Sequence, residues 1–513
     1  MSGLLKIWVM SVLVLTLTAV WAQDTPAPQQ DNPTPQDNGQ PQQPVPAYGQ
    51  EGSPAPITEN PPLSGLDLPS LEPHAAPLSY LQPGATFSDS ADSNPTSTAG
   101  NSSFISITRA LGSVALRRLW SNYDLAMDYA GGVAYYDLKG QGWKALQQMD
   151  LDQKISWKRG SLSIRDSFSY LPEGNFGESY GALGSAGVQS LGSTAFGSFW
   201  GGSALGTLGL APRILNVSLA DVTENLTPKS AVTAAGGYAF THFYGSQTNG
   251  ATFFGSSQIS AQAGYNRILS VHTQVALVYG YQGFDFNAFG TAFHTHVIEG
   301  MYGHRITGRM DLLIGAGPQF TKIGVACTFL DSLLAISGCK FNQAGEPVGS
   351  IPDTRIGVAG QARLRYRFPR TNFDLRYERF ETSGSGLFAG AQTDLAQLTA
   401  TRPLSRVWSG AVDIGFARNS RLQSLTAAQQ STCGQTGQPA CPGISANTYE
   451  YGFAGVAVHR QFGRSWHGFL SYQFNELSFD HSYCAGLPEC SRISNRDIIT
   501  IGLDWTPRPT RLD

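Results

Sequence analysis

The sequence predicts an all-β fold, a transmembrane antiparallel up-and-down β-barrel of about 18 strands, with 16 as the neighbouring even count. Three observations predict it. Apolar and polar residues alternate in short runs, as in RLRYRFPRTNFDLRYERF at 363–380. The runs are joined alternately by very short and by long connections. The chain also opens with an export signal, and no later stretch approaches the ~18–20 apolar residues that a spanning helix needs.

In RLRYRF, a helical period would scatter Arg363, Arg365 and Arg367 around the axis. Only a strand gathers them on one face and Leu364, Tyr366 and Phe368 on the other. Such a strand suits either a soluble sandwich or a barrel whose apolar face meets lipid. Composition and targeting decide between them. Charged residues make up 14% of the chain, against ~25% in soluble domains. Gly (58) and aromatics (11%) run high. A solenoid would share the glycine, but no fixed repeat period is present. The net charge of −3 argues against nucleic acid as a partner.

Residues 1–22 read as a secretory signal peptide. Lys6 precedes the apolar run Ile7 to Val20, and Val20-Trp21-Ala22 forms a small-residue cleavage site. Residues 23–77 read as a Pro/Gln-rich periplasmic linker, because fifteen of the 29 prolines fall between positions 24 and 83. Its one apolar island, LSGLDLPSL (63–71), reads as part of that linker, with docking at the rim or inside the mouth as the other reading.

Residues 78–508 read as the barrel. Seventeen alternating runs stand out: 105–120, 123–137, 147–158, 161–171, 213–226, 229–244, 256–269, 273–286, 293–306, 309–325, 354–369, 372–381, 389–402, 406–419, 447–462, 465–480 and 496–507. An odd count would leave the N-terminus outside the cell, so the weaker run 78–89 is counted as an eighteenth despite Pro83. Short turns such as Ser121-Asn122 and Arg370-Thr371 fall on one side and long loops such as 171–212 and 420–447 on the other, the asymmetry of an outer-membrane barrel. In YDLAMDYA, Tyr123, Leu125, Met127 and Tyr129 oppose Asp124 and Asp128. Trp120, Tyr123, Trp157, Tyr170, Phe368, Phe373 and Trp505 gather near strand ends, as interfacial girdles do.

The stretches LRRLWSNYDLAMDYAGG (116–132), RDSFSYLPEGNFG (165–177), HRITGRMDLLIGAGPQ (304–319) and the closing ITIGLDWTPRP carry a resemblance. The chain resembles porin-like outer-membrane β-barrel proteins of diderm bacteria, and more narrowly those of acidobacteria. The resemblance implies location in the cell outer membrane, contact with its lipid and lipopolysaccharide, and assembly by the barrel-insertion machinery. Gly502, Leu503 and Trp505 are similar to the terminal signal that machinery reads, although eight residues follow Trp505.

Pairing across Arg370-Thr371 would set Arg367 opposite Asp374, Arg365 opposite Arg376 and Arg363 opposite Glu378, all on the lumen face. This set reads either as a structural ion-pair ladder or as a cationic strip that concentrates anionic solutes. Asp150, Asp152 and Lys154 face Arg165 on another hairpin and supply opposing charge. The long third loop resembles the porin loop that folds inward, which would put Glu178 at a constriction; a loop that covers a subunit interface or is simply disordered is the other reading. Pairing across Lys158–Ser161 would set Asp166 opposite Gln153 on the lipid face, which a contact between copies would shelter. Cys327/Cys339, Cys433/Cys441 and Cys484/Cys490 form three short-range pairs in polar segments, which in an exported chain favours three loop disulfides over zinc. His294 and His296 share a face but lack further ligands. Nucleophile, metalloprotease and phosphate-loop motifs are missing, so no catalytic residue, metal or cofactor is expected. The sequence therefore supports a passive or weakly selective channel, with a structural or surface-display barrel as the alternative.

Overall fold

The computed structural model describes residues 63–64, 79–95, 104–138, 140–172, 212–244, 255–286, 291–326, 339–341, 345, 347–384, 388–422, 446–484 and 491–512. The strands run β1 (Tyr80–Asp92), β2 (Ile105–Leu119), β3 (Tyr123–Tyr136), β4 (Gly142–Trp157), β5 (Gly160–Leu171), β6 (Arg213–Thr227) and β7 (Ser230–Phe243). They continue as β8 (Ser256–Ser270), β9 (Thr273–Phe286), β10 (Thr291–Thr307), β11 (Met310–Ala326), β12 (Cys339–Phe341), β13 (Pro347–Arg367) and β14 (Asn372–Thr382). The last are β15 (Ala391–Pro403), β16 (Trp408–Arg421), β17 (Thr448–Phe462), β18 (Trp466–Phe479), β19 (Ile493–Trp505) and β20 (Thr510–Arg511).

Eighteen of these twenty strands form one closed antiparallel wall; β12 pairs only with the outer end of β13, and β20 only with Tyr80 and Leu81 of β1. Each long strand pairs with the next, β11 with β13, and the ring closes where β1 meets β19 from Ala85↔Trp505 to Asp92↔Ile498. Closure satisfies backbone groups that hydrocarbon cannot. The expected strands are therefore present in full, including the one that contains Pro83. The tail beyond Trp505 returns to the barrel, with Tyr80↔Arg511 and Leu81↔Thr510.

The two faces of the wall differ as a lipid-spanning barrel requires. On β3, Tyr123, Tyr129, Val133 and Tyr135 point outward and stand exposed, while Ala130, Ala134 and Tyr136 are buried on the inner face. Trp120, Trp157, Phe368 and Trp466 are exposed at the short-turn end. Among the described residues, five apolar clusters lie on the inner face, one of them joining Ile105, Ile107, Leu111, Ala134, Tyr136, Leu146 and Leu171.

Two registers differ from the sequence expectation, each by two residues. On the β13–β14 hairpin, Arg367 pairs with Asn372, Arg365 with Asp374, Arg363 with Arg376 and Gln361 with Glu378. The turn is Pro369-Arg370, because Phe368 N donates to Thr371 O at 2.8 Å. Proline's fixed φ suits the first central position of such a turn. On the β4–β5 hairpin, Trp157 pairs with Gly160 and Leu151 with Asp166. Gly160 belongs to the strand, since a Cβ there would lie 2.2 Å from the Thr223 carbonyl of β6. A slip of two keeps every side chain on its face, where a slip of one would invert them all. The lumen set therefore survives both corrections.

Candidate functional site in the barrel lumen

Charged side chains cluster on two parts of the inner face, β13–β14 and β2–β6. On β13 and β14, Arg363, Arg365, Arg367 and Arg376 point inward with Asp374 and Glu378. Arg363 Nε donates to both carboxylate oxygens of Asp374, at 3.0 and 2.9 Å. Arg365 is paired in register with Asp374 on one side and Asp311 on the other. Arg376 Nε donates instead to Gln397 Oε1 at 2.8 Å. Across the ring, the described inner face of β2 to β6 carries Asp124, Asp128, Asp150, Asp152 and Asp221 together with Arg109, Arg117, Lys144, Lys154, Arg165 and Arg213. Arg117 binds Asp124 at 2.7 Å, and Arg165 lies 3.8 Å from Asp152 and 3.6 Å from Asp221. Asp150 accepts from Ser167 Oγ at 2.7 Å.

Each part places like charges directly opposite one another, Arg363↔Arg376 on one and Asp128↔Asp150 on the other. Such cross-strand pairs are destabilising. β4 and β14 stand on opposite sides of the eighteen-strand ring.

At the outer end the wall changes course. β14 pairs with β13 only from Asn372 to Arg379, while β13 runs on with β11 as far as Ala326↔Ser350. Beyond Arg379, β14 turns inside the ring. There Thr321 Oγ1 donates to Glu381 Oε1 at 2.5 Å, and Thr295 Oγ1 donates to Glu381 Oε2. Thr295 and Thr321 belong to the inner face of β10 and β11 and are fully buried. Ala389 packs among Phe284, Phe286, Phe293, Ile323 and Leu422. Phe388 joins a second apolar cluster, its ring 5.1 Å from that of Tyr449. Gly384 and Gly390 adopt φ of +78° and +91°, which lets the hairpin return so tightly. Gly390 also leaves room for Phe293, since a Cβ would lie 2.5 Å from its ring. Left outside this tip, the outer part of β13 is bare: Ile356 is 75% exposed.

At the short-turn end, two residues of the segment preceding the barrel sit on the inner wall. Leu63 N donates to Asn266 Oδ1 at 3.1 Å, and the Ser64 carbonyl accepts from Thr233 Oγ1 at 2.6 Å and Gln262 Nε2 at 3.1 Å. The Leu63 side chain lies among Ala276, Val278, Met301 and Leu313. Leu63 and Ser64 are thus held against the inner wall at this end.

The sequence-predicted lumen residues Arg363, Arg365, Arg367, Asp374, Arg376, Glu378, Asp150, Asp152 and Arg165 all reach the lumen. Glu178, the signal peptide and Cys327, Cys433, Cys441 and Cys490 lie outside the described residues, as does the side chain of Cys484. Cys339 is disulfide-bonded. Asp166 faces outward and accepts from Ser218 Oγ at 2.5 Å and Asn216 Nδ2 at 3.2 Å, both on β6. His294 and His296 also face outward, each within hydrogen-bond reach of a tyrosine hydroxyl, Tyr281 at 3.0 Å and Tyr279 at 2.8 Å. Sequence reasoning missed Glu381 and Phe388; the only local sign was SGSGLFAG, a short glycine loop carrying two large apolar residues.

No family model matches the chain, and no curated protein matches it in sequence. Among solved structures, it is similar to the outer-membrane protein OpdK from Pseudomonas aeruginosa, at 9% identity over 83% of this chain and 98% of that one, with a TM-score of 0.37. It is similar to OccAB1 of Acinetobacter baumannii at 9% identity over 85% and 97%, with a TM-score of 0.38. The ferric citrate transporter FecA aligns at 8% identity over 84% and 79%, with a TM-score of 0.39. The strand register of this chain, and not these likenesses, establishes the closed eighteen-strand barrel.

Proposed function

We propose that the protein is a porin-like outer-membrane channel for passive diffusion of small solutes, with weak selectivity set by the charged side chains of its inner face. The observation that carries this reading is the pair of like-charge contacts of opposite sign on the inner face, Arg363↔Arg376 and Asp128↔Asp150. A barrel built for stability alone would avoid both. Eighteen strands are enough to enclose an aqueous channel. The export signal, the outward aromatic belt and the short turns on one side support insertion in the outer membrane with the N-terminal segment in the periplasm. The closing Gly502, Leu503 and Trp505 support handling by the barrel-insertion machinery, and the four motif stretches support the narrower acidobacterial likeness. In this reading the chain is a transporter and not an enzyme.

Substituting Arg363, Arg365 and Arg367 together by Ser is expected to leave assembly intact and to shift selectivity toward cations. Reversal potentials of purified protein in planar bilayers under a salt gradient measure this. An unmoved potential would reduce the arginines to a structural ladder. The in-turned β14–β15 tip favours a second reading, a sealed barrel that displays its outer loops to a partner. Ohmic openings of the wild-type protein would dismiss that reading, and their absence would favour it.

A further inference from the structure

We propose that Leu63 and Ser64 form a tethered stopper, seated in the periplasmic mouth and narrowing the channel until the segment is withdrawn. The proposal rests on the channel reading above.

The seat is built for these two residues. Leu63 is 0% exposed, and the side chains that bond the pair, Asn266 at Leu63 and Thr233 at Ser64, are 2% and 4% exposed. Three hydrogen bonds hold the backbone of two consecutive residues, one at Leu63 N and two at the Ser64 carbonyl. They come from β7 and β8, while the apolar cup for the Leu63 side chain comes from β9, β10 and β11. Two glycines make the room. A Cβ at Gly264 would lie 2.5 Å from Ser64 Cβ, and one at Gly303 would lie 3.0 Å from both Leu63 methyl groups. A lumen wall that only passed water and ions would have no need of an apolar cup beside a fixed acceptor site.

Position gives the contact its consequence. Asn266, Thr233, Gln274 and Gly303 all lie within a few residues of the short turns, so the seat is at the periplasmic mouth. It lies on strands β7 to β11, across the ring from β1, where the barrel chain begins. Fifteen residues separate Ser64 from Tyr80, a contour of roughly 50 Å at ~3.3 Å per residue. A tether of this kind converts a small contact into an intramolecular one, so two residues suffice to keep the seat filled. Only two residues need be released to empty it.

The test uses the full mature chain. Oxidation of a Leu63→Cys, Gly303→Cys double variant, in which truncation of Leu63 removes the two methyl groups that a Cβ at Gly303 would meet, should form an internal crosslink, read by mass mapping without any current. In planar bilayers the crosslinked form should hold a low conductance, whereas Leu63→Asp should raise conductance at least twofold over wild type. Gly303→Leu, which fills the cup from the wall, should raise it likewise; heat-modifiable gel mobility confirms that this variant folds. Failure to crosslink would overturn the seat. A crosslink with equal conductance in the locked, Leu63→Asp and wild-type forms would overturn the stopper and leave the channel standing. If every variant lacked openings, including one without residues 23–77, the channel reading would fall and the stopper with it.

Discussion

Among the arginine–aspartate pairs on the inner face, one at the closing seam and one on β13–β14 are set apart by their surroundings. Arg496 on β19 reaches Asp92 on β1 through Nε at 3.1 and 2.9 Å and through Nη2 at 2.5 Å, with side chains only 3% and 0% exposed. Arg363 and Asp374 make the same bidentate contact at 30% and 23% exposure, and like-charged Arg376 stands directly opposite Arg363. A buried pair is costly to break, because the survivor is left as an uncompensated charge. A half-exposed one is replaced by water at little cost. Identical chemistry therefore fastens the barrel at one place and presents charge to the lumen at the other.

The sharpest way to break this comparison is Arg496→Ala, expected to cost about 3–5 kcal/mol. Arg363→Ala should cost about 0.2–1 kcal/mol, part of it offset by relief of Arg376. Urea unfolding of both variants in detergent or liposomes, followed by heat-modifiable mobility, measures the difference. Equal costs would erase the distinction. Next in size is Gly390→Ala, which forces a side chain into a left-handed backbone and against Phe293. The backbone alone contributes about 1–2 kcal/mol, and the expected outcome is release of the β14–β15 tip, read as faster proteolysis at 383–390 with the barrel intact.

The smallest effect concerns Asp480, just beyond β18. Burial raises its pKa, but donation from Ser482 Oγ and from the backbone N–H groups of Asn447, Thr448 and Ser482 outweighs this and holds it below the ordinary 3.8. A carboxyl depressed in the folded state stabilises above its unfolded pKa and loses that contribution as pH falls through the folded value. Hydrogen exchange at Asn447 and Thr448 should therefore quicken as pH drops below about 3.8 once the intrinsic rate is divided out. In Asp480→Asn that acid step should vanish.

Strand positions were legible in the sequence because alternation is a local signal. The run 273–286 coincides with β9 from end to end. Face assignment was legible for the same reason, since side chains alternate along a strand and a slip of two residues leaves both faces unchanged. Register was not, because it turns on where a hairpin tip falls; Pro369 moved one tip, and the close approach of β6 at Gly160 moved the other. The outer tip and the periplasmic seat are contacts between distant parts of the chain. Nothing near Leu63 announces Asn266, 203 residues away, and nothing near Glu381 announces Thr295, 86 residues before it.

Because β1 closes on β19, the first strand must wait for the last. Arg496 and Asp92 are separated by 404 residues, so the contact that seals the ring is among the least local the chain makes, and loop-closure entropy delays such contacts most. Until Trp505 meets Ala85, every intermediate is an open sheet with two unpaired edges, a template for pairing with other chains and intolerable to hydrocarbon. Pro83 lies just beyond the last pair of that seam, on β1, and offers no N–H at the edge that waits longest. Insertion of this barrel is thus a problem of guarding two edges over the whole time of synthesis, and the sequence blunts one of them itself.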